Sequence, residues 1–124
     1  MGEKILVVDD SVSMRQMTSI ILNQAGYEVV QAEDGVRALD KFDEGFDLLI
    51  TDYNMPNMNG IELIKSVREG NVNKAVPILM ITTESEEEKK MEGKKAGATG
   101  WITKPFDKEL LLNTIKKITQ SVEF

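Results

Sequence analysis

An α/β fold built on a parallel sheet with helices on both faces is the architecture this sequence predicts. Three observations predict it. Five apolar runs of strand length recur along the chain, at residues 5–8, 27–30, 48–51, 78–82 and 101–103. Amphipathic segments separate them, which is the strand–helix alternation of a parallel sheet. The runs are also continuous rather than alternating: Leu48, Leu49 and Ile50 follow one another without a polar residue, as in a strand buried on both faces.

Taken in order, the first run leads into Asp9 and Asp10. Met14, Met17 and Ile21 then fall at helical spacing and read as the core-facing stripe of a helix. The second run ends in Gln31 and Ala32, which bring no evident chemistry. The third lies in "DLLITDYNMPNMNG", residues 47–60, where an apolar run ends on Asp52 and turn-forming residues follow at once. An unpaired charge inside such a strand would cost several kcal/mol or neutralise. Asp52 therefore stands either at a strand's wet end or beside a strongly cationic partner.

The fourth run ends in Thr82, and "ESEEEKKMEGKKAGA", residues 84–98, reads as an unusual helix. Ser85 and Glu88 form a capping box, Glu86 and Lys90 are spaced to pair, and only Met91 and Ala96 are strong core candidates. Gly93 at its midpoint costs about 1 kcal/mol relative to alanine. Most of this charge reads as a solvated face; the functional alternative, suggested by so thin a core, is a marginally stable, repositionable, partner-binding helix. The fifth run precedes Lys104 and Pro105, and Leu111, Ile115, Ile118 and Val122 mark the core stripe of a last helix that ends at Phe124.

The 124 residues suit one domain spanning 1–124, large enough for a core without disulfides or a structural metal. With neither Cys nor His, the usual zinc, haem and thiol chemistries lose their ligands, and a Ser-His or Cys-His dyad is excluded. Chemistry must run on carboxylates, lysine, hydroxyls or a hard cation. A net charge of −6 without a basic stripe argues against nucleic acid. There is no apolar run long enough for a membrane span and no signal-like segment, so a cytoplasmic location is expected.

In an open parallel sheet, ligands bind beyond the carboxyl ends of the strands where strand order reverses. Those ends carry Asp9 and Asp10, Asp52, Thr82 and, just past the fifth run, Lys104. If the first and third strands are neighbours, three carboxylates converge, and each like-charge pair costs about 3–4 kcal/mol at an effective dielectric of 20. Such a cluster needs a cation. A few oxygen ligands with room for water and phosphate oxygens suit Mg²⁺ better than Ca²⁺. The set matches phosphoryl transfer to a carboxylate: Asp52 as nucleophile, Lys104 as ammonium, Thr82 as hydrogen-bonding hydroxyl.

The stretches "ILVVDDS", "DLLITDYNMPNMNG", "ILMITTES" and "AGATGWITKPF" closely resemble the response-regulator receiver domain, from about Lys4 to Ile118. That resemblance implies a flavodoxin-like, doubly wound five-stranded sheet of order 2-1-3-4-5 with five helices. It implies that Asp52 is the phosphoacceptor and Lys104 the phosphate-contacting lysine, joined to Pro105 by a cis peptide bond. Asp10, Asp52 and the backbone carbonyl of Asn54 would hold Mg²⁺, with Asp9 acting nearby, in part through water. Thr82 would shift toward the phosphoryl group while an aromatic on the fifth strand turns inward. That aromatic is Trp101, where Tyr or Phe is more usual in the family. Asn54 and Glu84, at positions that set the lifetime of the phosphorylated state, are both polar and imply fast self-dephosphorylation.

Within the family, a phospho-dependent switch is expected, without an output domain and as a monomer, whose only catalysis is its own phosphorylation and dephosphorylation. A histidine kinase of the CheA type would donate the phosphoryl group, and a phosphatase is a further implied partner. The target would dock on the face of the fourth helix, fifth strand and fifth helix, with the flagellar motor switch of chemotaxis as first choice. A phosphorelay intermediate or phosphate sink is the alternative, followed by a receiver that binds partners without phosphorylation. An acyl-phosphate hydrolase of the haloacid-dehalogenase type would want an Asp where Asn54 stands, and a flavodoxin would not place Asp9 and Asp10 after its first strand.

Overall fold

The computed structural model describes residues 3–83 and 87–119. Five parallel strands form one sheet: β1 (Lys4–Val8), β2 (Glu28–Ala32), β3 (Leu48–Thr51), β4 (Ile78–Thr82) and β5 (Gly100–Thr103), in the order β2-β1-β3-β4-β5. The helices are α1 (Val12–Gln24), α2 (Gly35–Lys41), α3 (Gly60–Glu69), α4 (Glu87–Ala96) and α5 (Lys108–Thr119). The expected order therefore holds. Because the chain leaves β1 toward β2 and then crosses to β3 on its other side, the reversal of winding falls between β1 and β3.

Two cores sandwich the sheet, as alternating side chains on strands covered twice require. Leu6, Val8, Leu49, Ile78 and Met80 meet Ile61, Ile64 and Val67 of α3 and Ala38 of α2 on one face. Ile5, Val7, Leu48, Ile50, Leu79 and Ile81 meet Leu22 of α1 and Leu111, Ile115 and Ile118 of α5 on the other. The three expected stripe positions of α5 within the described residues are thus all buried.

Side-chain caps start α1, α2, α3 and α5. Ser11 accepts from the Met14 N–H at 3.3 Å, Asp34 from Arg37 at 2.8 Å, and Asp107 from Leu110 at 2.8 Å. Asn59 and Glu62 form a reciprocal capping box on α3, each bond 2.9 Å. The capping box expected from Ser85 and Glu88, the Glu86–Lys90 pair, Glu84, Val122 and Phe124 lie outside the described residues or depend on residues that do.

Three expectations change. The second strand begins one residue later and runs on through Gln31 and Ala32, because Tyr27 turns its N–H back to the Leu22 carbonyl. In α1 the buried residues are Thr18, Ser19 and Leu22, while Met17 is 41% exposed and Met14 and Ile21 are only partly covered. The helix is rotated because Arg15 lies inward, donating to the Asp9 carbonyl and to Gln31 Oε1, and Ser19 returns its hydroxyl to the Arg15 carbonyl. In α4, Met91 is 46% exposed, and the helix residue that is buried is Gly93.

The C-terminal end of α4 is held by an arginine. Arg68 of α3 donates twice to the Gly97 carbonyl, at 3.1 and 2.8 Å, and once each to Lys74 and Val76, at 2.6 and 2.7 Å. Gly97 itself has φ +117°, and a Cβ there would meet the Arg68 side chain at 2.8 Å. Only glycine suits both demands.

Candidate functional site

The carboxyl ends of β1, β3 and β4 meet where the winding reverses, and parallel pairing sets what they present. The Asp52 N–H donates to the Val8 carbonyl at 3.1 Å, which sets Asp52 one residue beyond the strand and beside Asp9. One carboxylate oxygen each from Asp9, Asp10 and Asp52 lies within 4.8 Å of the others. Asp9 is buried, Asp52 partly covered and Asp10 exposed.

The charge on Asp52 has a partner supplied by the chain itself. Lys104 Nζ lies 3.0 Å from Asp9 Oδ2 and 3.3 Å from Asp52 Oδ2, with about a tenth of each of the three side chains exposed. Burial alone pulls the Lys104 ammonium down. The hydrogen bond to Asp9 and the charges of Asp52 and Asp9 together outweigh that, so its pKa stands above the ordinary lysine value. The Lys104 N–H is anchored on the Thr82 carbonyl at 2.8 Å, and the bond to Pro105 is cis.

The remaining carboxylate oxygens are held by backbone. Ser11 N–H donates to Asp9 Oδ1 at 2.9 Å, and Tyr53 N–H to Asp52 Oδ1 at 2.7 Å. One ammonium against three carboxylates leaves two negative charges, which suits a divalent cation. Oxygens on opposite sides of one Mg²⁺ stand about 4.2 Å apart, so a 4.8 Å spread closes with small side-chain adjustments. The donor set thus fits Mg²⁺. Asn54, in the turn two residues after Asp52, has its side chain exposed.

Thr82 ends β4 and is fully buried, so its hydroxyl becomes accessible only after local rearrangement. Strand register sets Thr82 beside Thr103 and Met80 beside Trp101, so Thr82 and Trp101 share the face of the sheet that α3 and α4 cover. The indole rests on α4: a Cβ on Gly93 would lie 2.9 Å from Trp101 Cζ3. The ring tilts against Tyr53 at 6.4 Å between centroids. Its Nε1 is buried and makes no hydrogen bond with the described residues, a state that costs about 1–3 kcal/mol.

Gly93→Ala sets two effects against each other. Helix propensity gains about 1 kcal/mol, while the new methyl displaces the far edge of the indole. Because Trp101 is the only tryptophan, its emission reports that displacement directly. We expect a red-shifted maximum with little net change in melting temperature. An unshifted maximum with raised stability would show that the ring does not rest on Gly93.

Four residues of the site escaped sequence reading. Arg15 fixes the Asp9 carbonyl at 2.7 Å, and Gln31 receives both Arg15 and, through its backbone, Lys41 at 2.6 Å. Their sequence context marks neither. Tyr53 ties the loop to α4 through its hydroxyl, 2.6 Å from Glu92 Oε1. Gly60 opens α3 beneath Asp52, where a Cβ would overlap the Asp52 carbonyl. The "NG" step before an apolar run was the available signal for that last one.

Comparison with known proteins gives the family and agrees with the fold. Residues 5–116 match the family model described as the response regulator receiver domain. The chain is 45% identical over 118 residues to chemotaxis protein CheY1 of Helicobacter pylori, covering 93% of this chain and 95% of that one. It is 40% identical over 121 residues to chemotaxis protein CheY of Pseudomonas aeruginosa, covering 96% and 98%. The crystal structure of Vibrio cholerae chemotaxis protein CheY4 superposes with a TM-score of 0.90 at 52% identity, over 95% of this chain and 99% of that one.

Proposed function

The chain belongs to the response regulator receiver domain family, and from that premise we propose that it is a chemotaxis-type signalling switch phosphorylated on Asp52 by a histidine kinase. One observation carries the reading: Lys104 bridges Asp9 and Asp52 at the sheet's reversal point, with Asp10 beside them. No other group of three acidic side chains among the described residues is placed to hold a metal ion.

In this reading Asp52 attacks the phosphorus of a phosphohistidine in line, forming an O–P bond as the P–N bond breaks, and the imidazole leaves with the electron pair. Tyr53 N–H and Lys104 orient the two carboxylate oxygens before attack. Lys104 then follows the negative charge onto the phosphoryl oxygens. Asp9, Asp10, Asp52 and the Asn54 carbonyl would hold Mg²⁺, which supplies further neutralisation of those oxygens when bound. The Thr82 hydroxyl, once uncovered, caps a phosphoryl oxygen. Chemistry ends with hydrolysis of the acyl phosphate, so the protein acts as a switch and not on an external substrate.

The relatives named above are chemotaxis proteins, which favours an output on the flagellar motor switch through the face of α4, β5 and α5. Acetyl phosphate with Mg²⁺ is expected to add one phosphoryl group, seen by intact mass, and Asp52→Asn to abolish it. Labelling of the variant at the wild-type level would remove Asp52 from its role. Reverse transfer from the phosphoprotein to a histidine phosphotransfer domain, without binding to a motor-switch peptide, would assign it to a phosphorelay.

A further inference from the structure

The residue that follows the phosphoacceptor is tied to both sides of the problem. Its backbone N–H holds Asp52 Oδ1 at 2.7 Å, and its hydroxyl donates to Glu92 Oε1 of α4 at 2.6 Å. The Lys89 ammonium lies 5.5 Å from the centre of the same ring, and Trp101 packs against it. Among the described residues of α4 only Gly93 is buried, so the helix has little apolar anchorage and each tether weighs heavily on its position.

We propose that Tyr53 is a positioning residue that couples the chemical state of Asp52 to α4 through Glu92, a route out of the site separate from Thr82 and Trp101. This rests on Asp52 being the phosphoacceptor. While Asp52 is an anion, Tyr53 N–H makes a charge-assisted bond to it, stronger than a bond to a neutral acceptor. When one oxygen becomes an acyl phosphate, the other becomes the carbonyl of a mixed anhydride, and the negative charge moves to the phosphoryl group. The hold on the Tyr53 backbone weakens. The ring and its hydroxyl move with that backbone, so the bond to Glu92 weakens too and α4 is released.

Amide hydrogen exchange of α4, with and without beryllofluoride and Mg²⁺, reads this directly. In the wild type we expect α4 amides to exchange about fivefold faster when beryllofluoride is bound, the size of effect one surface hydrogen bond supplies. Glu92→Ala should exchange at the faster rate already and respond to beryllofluoride by less than half the wild-type change. It should still take one phosphoryl group from acetyl phosphate. Glu92→Gln, whose Oε1 still accepts, should restore the wild-type response, which a merely structural surface role would not predict. Tyr53→Phe should behave as Glu92→Ala does.

A Glu92→Ala variant that keeps more than half of the wild-type change overturns the coupling alone, as does a wild-type α4 that stays unchanged or slows while Asp52 is labelled. A wild type that takes no phosphoryl group at Asp52 overturns the reading of Asp52 as phosphoacceptor and the coupling with it.

Discussion

Gly60→Ala is expected to be the most damaging single-methyl change near the site, lowering stability by about 3 kcal/mol or more. The added Cβ would overlap the carbonyl oxygen of Asp52 and press Met80 Cε at 3.0 Å. Overpacking against a flexible side chain commonly costs about 1–3 kcal/mol, but here the main obstacle is backbone. That backbone is itself pinned. Asp52 N–H is bonded to Val8 of β1, and Gly60 N–H to the Tyr53 carbonyl at 2.8 Å. Relief therefore requires moving Asp52, so phosphoryl uptake from acetyl phosphate should fall together with stability. For a domain of this size the loss corresponds to a melting temperature roughly 10 °C lower. Calorimetry on the variant decides, and a midpoint within a degree or two of wild type would mean that the β3–α3 loop absorbs the methyl freely.

Lys104→Met should show the other large effect, and its size depends on conditions. Methionine fills similar space without the charge, leaving Asp9 and Asp52 close together and nearly buried. Removing one partner from such a group costs about 3 kcal/mol, so the variant should unfold at clearly lower urea in metal-free buffer. Mg²⁺ binding to the same carboxylates should recover part of the loss by mass action. The alkaline side gives an independent check. The folded-state value of Lys104 is raised above the ordinary 10.5, so its contribution is present below that and disappears as pH rises through the folded value. Tyr27, raised above its ordinary 10.0 chiefly by burial and then by the charge of Glu3, loses its contribution in the same direction. Stability of the wild type should thus fall above about pH 10.5 in metal-free buffer, and Lys104→Met should keep only the shallower Tyr27 component. Equal slopes for the two proteins would separate Lys104 from the carboxylates.

Buried strands were the most legible part of the fold. Leu48, Leu49 and Ile50 can satisfy no arrangement except one covered on both faces, and they are covered on both. β2 was less so, because an edge strand with half-buried Val29, Val30 and Gln31 carries a weaker contrast with its surroundings. Strand ends named Asp9, Asp10, Asp52, Thr82 and Lys104 because carboxylates and a lysine abutting apolar runs stand out. The roles proposed for them rest on chemistry and family, since proximity alone does not assign a reaction.

Helix faces were harder. Met14 and Met17 looked like a core stripe on hydropathy, yet the inward line of α1 is taken by Arg15, whose partners are a carbonyl and an amide. A polar side chain satisfied by backbone leaves no mark on a hydropathy pattern. Gly93 was legible only as a defect in α4. Its reason is a tryptophan eight residues away in sequence, a compensation of volumes that appears only when both are in place.

Arg68 gives α4 an unequal mounting. Its guanidinium grips the Gly97 carbonyl while also bonding two carbonyls ahead of β4, so the C-terminal end of the helix is a fulcrum. The ten residues of α4 make a lever arm of about 15 Å at 1.5 Å per residue. A tilt of about 10° about that fulcrum carries the far end through roughly 2.6 Å on this arm, enough to open or close a side-chain-sized gap, while Gly97 scarcely moves. Angular play near Asp52 is thereby converted into linear travel on the protein's outer surface.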